Sequence, residues 1–219
     1  MTVRRAVFAA AGLLAIWIAF DLVRPGSHDL RQFDPHGVAR LETAMWRSYY
    51  DHHQLRLLGE LAGLLRDQFH LPFWDSCLGA FYAARSAVVF QKGRERPEYL
   101  RAMPDLVRYY GLIRRASATP FDTGRVAALE LEWWIVHRQR DRHVPGDLEE
   151  ALARLQAEIY GRRASDFAEH ARLRAEAMLL RDAGGDWDRI GGLLDASWVS
   201  LRKAVAPLAA GYAAPPMGR

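Results

Sequence analysis

Cysteine occurs once in this chain, at Cys77, so no intrachain disulfide can form and a cysteine-based zinc site is excluded. The redox compartment stays open, because a disulfide-free domain can sit on either side of a membrane. Lysine is scarce too: Lys92 and Lys203 stand among arginines. There is no glycine-rich phosphate loop, no nucleophile elbow and no Ser/His/Asp set. No segment alternates polar and apolar residues long enough to argue a strand. No long basic run occurs and the net charge is only +4, which does not favour a nucleic-acid-binding face.

What is present suits a packed core. Half of the 219 residues are hydrophobic and 26% are charged, a globular balance rather than a disordered one. Seven Trp, eight Tyr and nine Phe supply the bulk. The length allows one domain plus an anchor.

Arg4 and Arg5 precede an apolar run from Ala6 to Phe20 that includes Leu13, Leu14, Ile16, Trp17 and Ile18. Leu22 and Val23 extend it past Asp21. Eighteen helical residues cover about 27 Å, close to a hydrocarbon core of about 30 Å. Residues 1–23 therefore read as an uncleaved, single-pass transmembrane anchor in an inner membrane. The competing readings are a cleaved signal peptide, against which Phe20-Asp21-Leu22-Val23-Arg24 is a poor cleavage site, and a buried soluble helix. Arginines flank both ends, so charge bias barely sets the orientation. The very short N-terminal tail favours a domain outside the cytoplasm.

Residues 24–33 read as a linker with a Pro25-Gly26-Ser27 turn, residues 34–206 as a bundle of six or seven helices, and residues 207–219 as a loose tail. Asp34 and Pro35 open a long helix to about Phe69, with Glu42, Trp46, His53, Leu57, Leu61 and Leu64 on one face. Pro72 breaks it, and a helix from Trp74 to Gln91 carries small residues at Ser76, Ala80, Ala83, Ala84 and Ala87. Later helices start near Pro104, Asp122, Asp147, Ser165 and Asp186, and Asp147 with Glu150 forms a capping-box pattern.

Residues 33–46 (FDPHGVARLETAMW) and 121–134 (FDTGRVAALELEWW) match without a gap at Phe33/Phe121, Asp34/Asp122, Val38/Val126, Ala39/Ala127, Leu41/Leu129, Glu42/Glu130 and Trp46/Trp134. A match of this quality arises by chance in roughly one chain in five. Its structural sense is stronger than its count, since both copies cap a helix with Asp and place a Glu and a Trp on one face. The expectation is an all-α fold in two halves related by a pseudo-twofold axis, with Glu42 opposite Glu130. The alternative is two similar helix starts.

Three sets of residues could carry function. Glu42, Glu130 and Glu176 lie among apolar residues on predicted helices, and His137 follows Glu130 on the same face. Inward carboxylates and imidazoles suit a di-iron or di-manganese centre. Against it, no Glu-x-x-His repeat occurs, and Glu130 and His137 lie about 10.5 Å apart along the axis. The plainer reading pairs these glutamates with Arg85, Arg172 or Arg174. Tyr49-Tyr50-Asp51-His52-His53 reads as a solvated run, because adjacent histidines diverge by about 100° on a helix. Trp46, Trp133 and Trp134 belong to the core or line a groove for an apolar ligand or a partner. Cys77 reads as an inert packed thiol.

The leading reading is a membrane-tethered helical module without catalytic activity, packing against a partner membrane protein as a subunit or assembly factor of a complex. Iron or manganese enters only in the alternative, a carboxylate-ligated di-metal oxidase. A weaker alternative is a carrier of an apolar ligand.

Overall fold

The protein is described by a computed structural model covering residues 2–23 and 28–207, with side chains of the first helix from Arg5 to Asp21. Residues 24–27 of the expected linker and 208–219 of the expected tail lie outside the described residues. The fold is all-α: α1 Thr2–Val23, α2 Pro35–Tyr50, α3 Gln54–Phe69, α4 Phe73–Lys92, the single turn α5 Arg96–Tyr99, α6 Met103–Ala116, α7 Thr123–Arg138, α8 Asp147–Tyr160, α9 Ala168–Asp182 and α10 Trp187–Val205. Short 3₁₀ turns join α5 to α6 and α8 to α9. Among the described residues there is no strand, only an isolated bridge between His28 and Ser117.

Aspartates start the helices where the sequence predicts them. Asp34 accepts from the amides of His36 and Gly37, Asp122 from Arg125, and Asp186 from Asp188 and Arg189. Each satisfies donors that an open N-terminus leaves unpaired. Asp147 does not act as the expected cap. Gly146, at φ 101°, holds that position, and the Asp147 carboxylate reaches back to the amide of Val144. The Glu95–Glu98 pair forms the capping box instead.

The long helix expected from Asp34 to Phe69 is two helices. The chain turns at Asp51–His53, where His52 takes a left-handed φ of 59°. The amides of Asp51 and His53 close the end of α2 onto the carbonyls of Arg47 and Ser48. Helical spacing continues across the break, so periodicity does not reveal it. The body therefore holds eight helices, α2–α4 and α6–α10, rather than six or seven.

These eight pack in order. α2 lies on α3, α3 on α4, α4 on α6, α6 on α7, α7 on α8, α8 on α9 and α9 on α10; α10 then closes on α2. Such ordered neighbours follow from short connections between antiparallel helices. Leu65, Leu106, Leu152, Leu194 and Leu201 are almost fully enclosed in the interior.

Residues 28–33 are not a free linker. Leu30 and Phe33 are buried, His28 exchanges backbone hydrogen bonds with Ala116 and Ala118, and His70 Nε2 meets the carbonyl of Gln32 at 2.5 Å. The segment seals one end of the ring.

α1 stands apart. Among the described residues it meets α4 near its C-terminal end, where Trp17 packs on Phe73 and Trp74 and the Asp21 carboxylate accepts from the Trp74 amide at 2.8 Å. Asp21 thus serves the first turn of α4. Among the described residues, no helix is long and apolar enough to cross a membrane.

Leu65 fills the α3–α4 contact, where its Cδ1 lies 2.8 Å from the place a side chain on Gly79 would start. Leu65→Ala should cost about 2–5 kcal/mol in urea denaturation, because the cavity it leaves collapses only in part.

Candidate functional site

The polar interior is organised around Glu42 and Glu130. Glu42 is 2% exposed on the inner face of α2. Both its oxygens accept from Arg174 of α9, at 2.8 and 2.5 Å, and Oε2 also accepts from the Trp198 indole of α10 at 2.6 Å. The Arg174 guanidinium lies 5.9 Å from the Trp46 ring centroid and 5.8 Å from that of Trp198. A delocalised cation between aromatic faces and a bidentate carboxylate is well placed for a buried pair. Burial alone pushes the Arg174 guanidinium down; the charge and hydrogen bonds of Glu42 outweigh it, so the net shift is upward.

Glu130 is half-buried on α7 and is held by neutral donors, the Tyr110 hydroxyl at 2.8 Å and the Trp134 indole at 2.9 Å. Burial, with the Glu130 charge adding to it, raises the Tyr110 phenol well above its ordinary range, and the neighbouring Tyr109 is raised for the same reasons. Both phenols therefore stay protonated. Arg174 feels the charge of both glutamates.

The two glutamates have matching surroundings. Trp198 stands 88 residues after Tyr110, as Glu130 stands 88 after Glu42. Each aromatic lies on the fourth helix of a run of four, α6 or α10, and donates to the glutamate on the first helix of the other run. Phe33 meets Trp198 edge-on at 5.8 Å, and Phe121 meets Tyr110 edge-on at 6.5 Å. Ala102/Ile190, Leu106/Leu194 and Ile113/Leu201 repeat at the same offset, all buried. Sequence reasoning found Glu42/Glu130 and Trp46/Trp134 but missed Tyr110 and Trp198. Their residue types differ, and only their shared role as aromatic donors unites them.

The other candidates do not join this centre. Glu176 points outward, its side chain 41% exposed, and pairs with Arg172 at 3.1 Å. His137 lies on the α9 side, 3.2 Å from Asp182, and burial lowers its pKa. Glu42, Glu130, His137 and Glu176 therefore do not converge, and among the described residues no group of three His, Cys, Asp or Glu could hold a metal ion. Arg85 serves Asp105, not a glutamate. Trp46, Trp133 and Trp134 are partly buried against the core, and Trp134 packs edge-on against Phe90 at 5.3 Å. Two open surface hollows occur elsewhere, one beside Phe121 and Arg162 and one beside Arg172 and Arg189.

Beside the centre, His170 is fully enclosed. Its Nδ1 donates to the Ser197 carbonyl at 3.0 Å, and the Ser197 hydroxyl lies 2.8 Å from the same nitrogen. Its Nε2 is buried without a partner among the described residues. Burial first, then the Arg174 charge, pushes this imidazole down to about 4. Glu42 and His170 are thus all but withdrawn from solvent.

No protein-family model matches the chain, and no curated protein or solved structure matches it. The class of molecule rests on its geometry: an eight-helix ring closed by two carboxylate–aromatic clasps, with a separate apolar helix at one edge.

Two measurements check this site. Glu42→Gln leaves Arg174 buried without its counter-charge and should cost about 3–5 kcal/mol. Glu130→Gln removes an acceptor for neutral donors and should cost about 1 kcal/mol. A reversed order in urea denaturation would refute the assignment of the ring's ion pair. His170 binds its proton at pH 6.5 when unfolded and about 4 when folded. The unfolded state therefore takes up the proton first on acidification. Stability from this group is intact above pH 6.5 and lost progressively towards pH 4, by on the order of 3 kcal/mol. His170→Asn should flatten that part of the pH profile in chemical denaturation.

Proposed function

We propose that this protein is a membrane-tethered helical module that docks a partner membrane protein, as a subunit or assembly factor, and carries out no reaction itself. The observation that carries the reading is the surface of α1. Phe8, Leu13, Ile16 and Phe20 are each about two-thirds exposed, and Leu14 and Trp17 about half. Ala6 and the partly covered Ile18 complete the same helix. A helix with this much exposed apolar surface, meeting α4 through Trp17 and Asp21, finds no stable place in water. The whole Thr2–Val23 helix is about 33 Å long, matched to a hydrocarbon core of about 30 Å. That supports single-pass insertion; we propose in addition that the body lies on the extracytoplasmic side of an inner membrane. The uncharged run between Arg5 and Asp21 covers only about 23 Å, which is the observation against full spanning.

The non-catalytic part rests on how the interior acids are used. Glu42 and Glu130 are occupied by Arg174, Trp198, Tyr110 and Trp134 in closing the ring. We further infer that α2–α3–α4–α6 and α7–α8–α9–α10 are two copies of one four-helix unit. The support is the 88-residue offset shared by the two clasps, the capping aspartates and the buried positions of α6 and α10.

The full chain should sediment with membranes and resist alkaline carbonate, while a variant lacking residues 1–23 should leave them. Protease added to intact spheroplasts should digest the body. A monodisperse, truncated monomer that still supported the native phenotype would remove the tethering hypothesis.

A further inference from the structure

α4 and α9 hold equivalent places in the two halves, each third in its run of four. The helices before them end alike, α3 at His70 and α8 at Gly161, both left-handed C-caps 91 residues apart. At that offset, Leu78, Phe81, Arg85 and Val88 of α4 correspond to Glu169, Arg172, Glu176 and Leu179 of α9. Both sets follow the 3–4 spacing of one helix face, and both face outward.

The two faces differ in chemistry at three of the four positions; at the fourth, Leu179 is 44% exposed and as apolar as its counterpart Val88. On α9, Arg172 pairs with Glu169 at 2.8 Å and with Glu176 at 3.1 Å, an ordinary solvated ladder. On α4, Phe81 and Val88 are nearly half exposed, with Leu78 and Phe73 close behind. The ring does not require most of that apolar surface, because α9 fills three of the four equivalent places with charges. The exposed α4 stripe is also net cationic: Arg85 shares the single Asp105 carboxylate with Arg108 of α6, which leaves one positive charge in excess, and Lys92 adds a second. Its basic members are Arg85 and Lys92, and the only acid of the helix, Asp75, is buried and paired with Arg115. Arg85 lies over the Phe81 ring at 5.4 Å and Arg66 over Phe73 at 5.7 Å. The stripe begins at Phe73 and Trp74, where Trp17 of α1 packs.

Aromatic and aliphatic side chains interleaved with cations, continuous with an apolar helix, match the interfacial zone of an anionic bilayer. We propose that the outer face of α4 lies in the headgroup region of an anionic membrane, with Phe73, Leu78, Phe81 and Val88 immersed and Arg85 and Lys92 at the lipid phosphates. This rests on the membrane attachment of α1 and adds a second contact. Two contacts fix the orientation of the ring on the membrane, where α1 alone would leave it swivelling.

The test uses the full chain in a Cys77→Ser background, reconstituted into vesicles of phosphatidylcholine with or without phosphatidylglycerol. Single Leu78→Cys, Phe81→Cys, Val88→Cys, Glu169→Cys and Leu13→Cys variants carry an environment-sensitive fluorophore, with circular dichroism confirming the fold. With phosphatidylglycerol, the three α4 probes should shift to the blue and be quenched by shallow spin-labelled lipids, and the Glu169→Cys probe should stay aqueous. Adding Arg85→Gln and Lys92→Gln should remove the dependence on anionic lipid. A quenched Leu13→Cys probe with aqueous α4 probes would overturn this proposal and leave the anchor standing. An aqueous Leu13→Cys probe would overturn both. Shielding of the α4 probes that rises with protein concentration, without lipid quenching, would mean that a second copy covers the face and would equally overturn it.

Discussion

A ring of helices has one contact that sequence order cannot supply, the return of the last helix to the first. Here that contact is α10 on α2, and its centre is the Glu42 carboxylate between Arg174 and Trp198. Taking a carboxylate and a guanidinium out of water is costly, and their attraction offsets that cost only when both partners are fully hydrogen-bonded. The Glu42 side of the pair meets this condition. Both oxygens of Glu42 are occupied, and Arg174 keeps two aromatic faces over its plane. Hydrophobic packing would accept many registers of α10 against α2; a bidentate pair plus an indole donor accepts one.

The second clasp shows what happens when the charge is left out. α6 and α7 are consecutive in the chain, so their contact is nearly guaranteed by a short connection. Tyr110 and Trp134 can hold Glu130 with neutral donors because little register remains to be specified. Arg174 then sits where it acts on both acids. The asymmetry between the halves follows from connectivity: the strong, charged clasp lies at the non-local closure and the weak one at the local joint. On the two-copy reading, the arginine is the addition that the closing joint required.

Much of this was legible in the sequence, for identifiable reasons. Aspartates at 34, 122 and 186 act through the amides of their own next turn, so their effect is local and readable. That Glu42 and Glu130 share a local setting was legible because both lie in the same short motif. The break at His52 was not, since a left-handed histidine leaves no composition signal and the apolar spacing runs through it. The outward turn of Glu176 was also hidden. On α9 the inner face is marked by Ala171, Ala175 and Met178, and a glutamate one position from an inward alanine looks internal until the helix phase is known. Arg174 could be proposed as a partner of Glu42, but choosing it over Arg85 and Arg172 requires the ring.

Asp21 joins these arguments to the surface of the protein. In a free apolar helix its charge would be a cost, lessened only by nearness to the headgroups. Here its carboxylate accepts from the first turn of α4, where the helix leaves amides unpaired. The same contact fixes where α1 departs, beside Phe73 and Trp74 and at the head of the apolar α4 stripe. One hydrogen bond thus joins two exposed apolar surfaces, those of α1 and α4. α9, in the matching position of the other half, has no such neighbour and carries an ion-pair ladder. The apolar face occurs on α4, the helix that α1 meets, and that coincidence makes α1 and α4 parts of one surface rather than two separate features.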